Sequence, residues 1–415
     1  MDKVLVHQKG YYGITLFWIV CIYLFIYNPP FSFIPISPIK IIDLLLIFIA
    51  FKNRIWTPLI SFMKIEICIC LFIICHCIFL FLFTSTLLFA FEYVSFIFEC
   101  LIAPYIILTI LHKQFKDRNK VIYFILCIPI IASFISCFLI INPETNNFVR
   151  ESLLVTSNLT EKLTFRSFGI SDSLIFSYAI AQGLGFCICL YYSNTKKLLY
   201  FFLPFLFISI MFNARIGFVP IIIYFLYILF TKKGFKQIAK VTIITTIIFV
   251  LAYNNGLLDE YKQTLEWAFD FIIEITSFMT NESLNKTGNT DILKTMIVLP
   301  ENTWDWILGS GKNLFTAQNN SDIGYIIQLN YGGIYFITLI FCLVISLYLK
   351  LYVFQCKRWF ILLFIGTILI CNIKGYFILT NPGFRFLMLL YSFYINMTIS
   401  TPQNLNQSSY VNHNL

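Results

Sequence analysis

Charged side chains are scarce in this chain, and six of them lie at or near the ends of apolar segments. They are Arg166, Arg215, Lys312, Asp322, Lys374 and Arg385. Guanidinium groups hold phosphate oxygens through paired hydrogen bonds, so cations that converge at a bilayer surface suit a lipid-linked phosphate or pyrophosphate. A nearby aspartate can orient a hydroxyl group or accept its proton. The alternatives are that the cations extend toward lipid head groups and that Asp322 caps a helix.

Metal-dependent and histidine-based chemistry is not expected on the outer side of this protein. The four histidines are His7, His76, His112 and His413, and none falls in a predicted outer segment. No phosphate-binding loop, nucleophile motif or zinc-type spacing is present. Cysteines surround His76, but they lie within one apolar segment, where cysteine commonly behaves as a small hydrophobic residue. We therefore predict no metal and no cofactor.

The composition predicts a polytopic membrane protein. The 415 residues are 59% hydrophobic and 12% charged, about half the usual 25% charged fraction of soluble proteins. The 13 cysteines lie in or beside apolar segments, so we predict no disulfide framework. The net charge of +9 reports membrane orientation here, and we predict no nucleic-acid partner. Large residues at Pro30 and Phe31 follow the first apolar segment, which we interpret as a retained span.

Apolar segments of suitable length predict an all-α fold with about twelve transmembrane helices. They cover residues 11–27, 38–51, 65–83, 87–111, 121–141, 172–193, 198–213, 216–231, 238–254, 325–349, 359–373 and 384–399. Most of the 29 lysine and arginine residues fall in the short connections that face the same side as the N-terminus. The positive-inside rule therefore predicts that both termini are cytoplasmic.

This topology divides the chain into four parts. Residues 1–254 form an N-terminal bundle of about nine spans with a shorter outer loop near 142–171. Residues 255–324 form one large outer loop with amphipathic helices, including 257–279, whose acidic stripe is most simply a solvated face. Residues 325–399 form the C-terminal spans, and residues 400–415 a disordered cytoplasmic tail.

The segment Leu198–Thr231 predicts a helical hairpin. As one helix its 34 residues would extend about 51 Å, which exceeds a hydrocarbon core of about 30 Å. Lysines at both ends favour the inner face, so the turn should lie at Asn213–Gly217 on the outer side. Arg215 would then sit at or below the outer surface, which makes it a functional candidate.

Two acidic residues, Glu92 and Glu99, lie seven residues apart in one apolar span, and therefore on one helix face. Intramembrane carboxylates can form a proton relay, which would favour a transporter. They can equally pair with a lysine or arginine of a neighbouring span.

Several short motifs follow one another in a characteristic order along this topology. They are Arg166-Ser167-Phe168-Gly169, Arg215-Ile216-Gly217, Leu308-Gly309-Ser310-Gly311, Ser321-Asp322-Ile323-Gly324-Tyr325 and Gly332-Gly333. In this order the chain resembles the O-antigen polymerases of the Wzy type and is similar to the related O-antigen ligases. The topology covers nearly the whole chain, whereas the motifs cover a small part of it.

The resemblance implies a GT-C-like, metal-independent glycosyltransferase at the periplasmic face of a bacterial inner membrane. Its partners would be undecaprenyl-pyrophosphate-linked repeat units, membrane lipid and a chain-length regulator. Arg215 and Arg166 would hold the pyrophosphate, and Asp322 would act on the acceptor hydroxyl. The other predicted substrate contacts are Gly169, Gly309, Gly311, Lys312, Lys374 and Arg385.

Two other functions stay open from the sequence. The ligases carry a functional histidine in the long outer loop, and residues 255–324 contain none, which favours a polymerase. A flippase or transporter of lipid-linked units would show internal repeats with broken spans in matching positions of two halves. No such self-similarity is visible here.

Overall fold

A computed structural model describes residues 2–84, 87–153, 167, 169–172, 176–231, 295–312, 314 and 321–399, with scattered positions between 234 and 254. Within these residues the regular structure is helical, and the sole extended pairing is an isolated bridge between Phe31 and Leu153. All 13 cysteines are free thiols.

The helices are α1 (Asp2–Tyr27), α2 (Pro38–Lys52), α3 (Trp56–Phe62), α4 (Lys64–Thr84), α5 (Leu88–Phe96), α6 (Ala103–Phe115), α7 (Arg118–Ile141), α8 (Pro143–Ser152), α9 (Ser177–Tyr192), α10 (Leu199–Met211), α11 (Phe218–Leu229), α12 (Thr303–Leu308), α13 (Gly324–Val353), α14 (Arg358–Lys374) and α15 (Pro382–Ile399). A π-helical segment, Ile97–Ile102, joins α5 to α6, and a 3-10 turn, Arg215–Gly217, precedes α11.

Among the described residues, four helices are long and apolar enough to cross a membrane. They are α4, the continuous helix Phe89–Phe115, α7 and α13. Shorter apolar helices occupy Gly13–Tyr27, Leu199–Met211 and Arg215–Leu229. The fold is therefore that of an α-helical membrane protein, while the total of about twelve spans and the GT-C-like architecture stay predictions.

The distribution of side chains is the reverse of that in a soluble protein. Leu82 and Phe83 are 73% and 74% exposed, whereas Glu66 and Arg385 are 0% and 2% exposed. A lipid environment makes this arrangement favourable, because it solvates apolar side chains and forces charged groups to find partners inside the bundle.

Helices α9 and α15 form the centre of the bundle. Nearly every residue of α9 and of residues 382–396 in α15 is buried, and the two helices pack against each other. Helix α9 also packs on α7, α10 and α11, while α15 packs on α1, α6 and α13. Residues just before the N-termini of α9 and α15 are thereby brought into the interior of the molecule.

The predicted hairpin between α10 and α11 breaks where the sequence indicates. Helix α10 ends at Met211, and α11 begins at Phe218. Each is about 18–20 Å long at 1.5 Å per residue, which is short for a membrane span. Asn213–Gly217 forms the turn between them, and we refer to these five residues as the arginine turn.

Parts of the predicted organisation lie outside the described residues. These parts are the amphipathic helix at 257–279, most of the span at 238–254 and the tail at 400–415. Of the large outer loop, the structure describes 295–312, 314 and the residues from 321 onward, including α12. The division into four parts therefore stays a prediction.

Candidate functional site

The arginine turn is held against helix α9 by close backbone packing. A β-carbon on Gly217 would lie 2.5 Å from the carbonyl oxygen of Ala179, and one on Gly183 would lie 2.1 Å from the carbonyl oxygen of Gly217. Since neither position has room for a side chain, the two glycines allow the turn to sit directly on α9. Arg215 is half-buried there, at the end of a short apolar helix as the sequence predicts.

Ser167 connects the first arginine motif to this turn. Its backbone N–H donates to the carbonyl oxygen of Phe212 at 3.2 Å, one residue before the arginine turn begins. Its hydroxyl donates to the carbonyl oxygen of Ser136 at 3.1 Å, and the Ser136 hydroxyl donates back to the Ser167 carbonyl at 3.2 Å. Arg166 itself lies outside the described residues, but the residue that follows it is fixed beside the turn.

Gly169 lies further along the same motif in a left-handed conformation, with φ of 60°. A β-carbon there would lie 2.8 Å from the hydroxyl oxygen of Tyr178. That hydroxyl donates to the carbonyl oxygen of Ala132 on α7. Gly169 therefore allows the chain to pass closely over the start of α9, which is a positioning role.

The side-chain amide of Asn213 is the least satisfied polar group of the arginine turn. The residue is 0% exposed, and neither its amide nitrogen nor its amide oxygen has a hydrogen-bond partner among the described residues. Leaving a buried polar group unpaired costs about 1–3 kcal/mol. An unpaired buried amide two residues from Arg215 therefore points to a ligand with hydrogen-bonding groups.

The second glycine motif forms a structured loop against α13. We refer to Leu308–Gly311 as the glycine loop; Gly309 and Gly311 have φ of 85° and 66°. The N–H groups of Ser310 and Gly311 donate to the carbonyl oxygens of Asn330 and Tyr331, both at 2.9 Å. Helix α13 is kinked directly after these acceptors, at Gly333, whose φ is 67°.

His76 of α4 is the residue that joins the glycine loop to the kink, and sequence reasoning did not assign it this role. Its Nε2 lies 3.1 Å from the carbonyl oxygen of Leu308 and 3.0 Å from that of Gly332. Because both partners are acceptors, Nε2 carries the proton. In the sequence, the one indication of this role is a lone histidine inside an apolar helix. No group of residues suited to a metal ion occurs in the described part of the chain.

Asp322 and Lys374 lie at neighbouring helix ends. Gly324 begins α13. It packs so closely on Gly375 that a β-carbon on Gly324 would lie 2.4 Å from the carbonyl oxygen of Gly375. Asp322 lies two residues before Gly324, and Lys374 lies one residue before Gly375. Neither side chain forms a hydrogen bond or ion pair within the described residues.

Asp322 does not cap α13. The N-cap position is Ile323, which makes no side-chain capping bond, and the hydroxyl oxygen of Ser321 accepts from the N–H of Ile323 at 3.3 Å. Lys312 follows the glycine loop with an exposed side chain. Asp322, Lys312 and Lys374 thus stay available to a ligand from the outer side of the predicted topology.

Arg385 is committed to protein groups. It lies 3.1 Å from Glu99 and 3.4 Å from Asp172, and it donates to the carbonyl oxygens of Phe25 and Ile26. Asp172 lies in the loop before α9 and also accepts a hydrogen bond from the Asn28 amide. In this structure Arg385 connects helices, and the substrate contact predicted from its position at a span end stays a prediction.

The two intramembrane glutamates have separate partners. Glu99 pairs with Lys40 at 2.8 Å and with Arg385, and Glu92 accepts a hydrogen bond from the Thr380 hydroxyl at 2.6 Å. Of the two explanations that the sequence leaves open for Glu99, pairing with basic residues of neighbouring helices is the one observed.

No protein-family model, curated protein or solved structure matches this chain. The function is therefore inferred from its own residues and their arrangement.

Proposed function

We propose that the protein is an O-antigen polymerase, a metal-independent membrane glycosyltransferase. It would join undecaprenyl-pyrophosphate-linked repeat units on the periplasmic face of a bacterial inner membrane. The acceptor hydroxyl attacks the anomeric carbon of the donor glycan. The bond from that carbon to the pyrophosphate oxygen breaks, the carrier pyrophosphate leaves with the electron pair, and the hydroxyl proton passes to a base.

The observation that carries this proposal is the hydrogen bond from Ser167 N–H to the Phe212 carbonyl. It ties two arginine motifs that are far apart in sequence to one buried position. Beside it lies the unpaired amide of Asn213. Two guanidinium groups and an amide donor form a suitable set for a pyrophosphate, whose leaving charge they would stabilise.

Arg215 has the principal role in this proposal, and Arg166 is its partner. Arg215 would hold the pyrophosphate throughout and stabilise the negative charge that develops on it. The glycine packing of Gly217 on Ala179 would limit movement of the turn, because preorganised charges stabilise a transition state better than mobile ones.

The acceptor side is proposed to lie at Asp322, whose carboxylate has no competing partner among the described residues. Asp322 would orient or deprotonate the acceptor hydroxyl. Lys312 and Lys374 would contact the glycan or its carrier. Gly309 and Gly311, which pack closely on Tyr331 and Thr84, would allow the tight backbone turn that holds the loop near the sugars.

Lipopolysaccharide banding on a gel tests the proposal. A strain that lacks the gene is complemented with wild type, with Arg215→Ala or with Arg358→Ala at matched expression. Arg358 is a suitable control because it is an exposed arginine at the opposite end of the predicted topology. We expect the deletion to leave core plus a single repeat unit, and wild type and Arg358→Ala, but not Arg215→Ala, to restore the ladder.

Other patterns contradict the proposal. Core without any repeat on deletion indicates a ligase or flippase, and accumulated polymerised lipid-linked glycan would then identify the ligase. An unchanged ladder on deletion excludes this pathway altogether. If Arg215→Ala restores the ladder, Arg215 is not part of the site.

A further inference from the structure

Five charged side chains meet near the outer ends of α1 and α2 in the predicted topology. They are Lys40, Asp43, Glu99, Asp172 and Arg385, and we refer to them as the charge cluster. They come from α2, the π-helical segment, the loop before α9 and α15. With all groups ionised, two positive charges face three negative charges, so the cluster carries one uncompensated negative charge.

Glu99 takes the strongest interaction from each cation. One carboxylate oxygen lies 2.8 Å from the Lys40 ammonium, and the other lies 3.1 Å from Nε of Arg385. The residue is 2% exposed. A buried carboxylate with a cation on each oxygen is well compensated as an anion, so the excess negative charge does not reside on Glu99.

Asp172 is also compensated on one oxygen. That oxygen receives two hydrogen bonds from Arg385, both at 3.4 Å, and one from the Asn28 amide at 3.3 Å. Its other oxygen has no hydrogen-bond partner within the part of the chain that the structure describes. The charge of Asp172 is thus compensated by Arg385, the cation that it shares with Glu99.

Asp43 has the least compensation in the cluster. One of its oxygens lies 3.8 Å from the Lys40 ammonium, which is beyond hydrogen-bond distance, while that ammonium donates to Ser95 and Glu99 instead. The other oxygen is buried without a hydrogen-bond partner among the described residues, and the residue is 8% exposed. An unpaired carboxylate in such a site is costly, and binding a proton removes the cost.

From this geometry we propose that the charge cluster is a proton-binding site and that Asp43 carries the proton. The side chain of Lys40 is 50% exposed, which connects the cluster to the surface of the bundle near the outer end of α2 in the predicted topology. The bound proton brings the total charge of the five residues to zero. This inference is independent of the proposed glycosyltransferase function.

The π-helical segment gives the site its geometry. Pro104 lacks an N–H and cannot donate to the carbonyl of Cys100 four residues earlier, and the helix adopts the wider π form over Ile97–Ile102. Single π turns recur at functional sites because they redirect a side chain without ending the helix. Here the segment places Glu99 between Lys40 and Arg385.

Linkage between proton binding and unfolding tests the proposal on the purified full-length protein in detergent. An unfolded aspartate releases its proton near pH 4, whereas the folded cluster keeps it to higher pH. Between about pH 4 and the pH at which the folded cluster releases its proton, the folded protein holds one more proton than the unfolded chain. Its stability is therefore greatest at low pH and falls as pH rises, with the unfolding constant increasing about tenfold per pH unit.

The variants are wild type, Asp43→Asn and the control Asp322→Asn in SDS-induced unfolding. Asparagine is nearly isosteric with protonated aspartate, so Asp43→Asn should fold, show a shallower pH dependence than wild type and exceed wild-type stability at the upper end of the pH range. Asp322→Asn should keep the wild-type slope. Parallel slopes for wild type and Asp43→Asn would overturn the proposal.

Infrared spectroscopy gives a second readout that does not depend on unfolding. At neutral pH we expect the C=O stretch of a protonated carboxylic acid in wild type and Asp322→Asn, and its loss in Asp43→Asn. If this band does not depend on Asp43, the proposal fails. Stabilisation of wild type but not Asp43→Asn by sodium chloride relative to choline chloride would identify a bound cation instead of a proton, and would also overturn it.

Discussion

Nε2 of His76 lies 3.0 Å from the carbonyl oxygen of Gly332 and 3.1 Å from that of Leu308. One imidazole N–H thus serves two carbonyl groups that belong to different segments. Gly332 precedes the kink of α13, and Leu308 begins the glycine loop. The interaction explains how a polar loop can lie against an apolar helix, since backbone groups at this depth need partners inside the protein.

Replacing His76 with leucine should release the glycine loop. Leucine fills a similar volume but donates no hydrogen bond, and unpaired buried carbonyl groups cost about 1–3 kcal/mol. We expect lower stability in SDS unfolding and faster proteolysis within residues 302–312. Cys68→Ala on the same helix is the control, because Cys68 is exposed. Equal proteolysis of His76→Leu and wild type would contradict the clamping role.

Gly333→Ala should destabilise the protein. Its φ of 67° disfavours a side chain, and a β-carbon would lie 2.4 Å from the carbonyl oxygen of Ile307. With ψ of −169°, this backbone conformation is one that essentially only glycine adopts and costs other residues about 1–3 kcal/mol, and the backbone clash adds to it. The control is Gly13→Ala, since a β-carbon there meets no atom within 4 Å and alanine favours a helix by about 1 kcal/mol. Unfolding curves that shift equally for both variants would refute this explanation.

Arg385→Ala should reduce the amount of folded protein. Removing one partner of a buried ion pair costs about 3–5 kcal/mol, because Glu99 and Asp172 would keep uncompensated charge. Lys374→Ala is the matched control: this lysine is exposed, and its loss should change stability by less than about 0.5 kcal/mol. If Arg385→Ala unfolds like wild type but loses activity, Arg385 contacts substrate and is not mainly structural.

Asn213→Leu should separate stability from activity. Its buried amide makes no hydrogen bond among the described residues, so an apolar side chain of similar size should leave stability unchanged or raise it by about 1 kcal/mol. If the amide binds a phosphate oxygen, the same variant should lose the lipopolysaccharide ladder. SDS unfolding and gel banding measure the two effects. A destabilised variant, or one that restores a full ladder, would count against the ligand role.

The sequence by itself determines the class of protein and the location of its main break. A low charged fraction and long apolar segments predict helices in a membrane, because hydrophobicity and helical periodicity are local properties. The break at Asn213–Gly217 follows in the same way from segment length and terminal lysines, and α10 and α11 stop and start around it.

The tertiary structure decides which polar groups meet. Arg385 is a surface cation from its position in the sequence, yet it pairs with Glu99, 286 residues away. The sequence around His76 is apolar and indicates no partner for the imidazole, yet its Nε2 donates to the carbonyl oxygen of Gly332, 256 residues away. The pattern of one segment shows that a buried charge or imidazole needs a partner, but the identity of that partner depends on the packing of distant helices. The folded chain alone therefore shows that Arg385 is paired inside the protein.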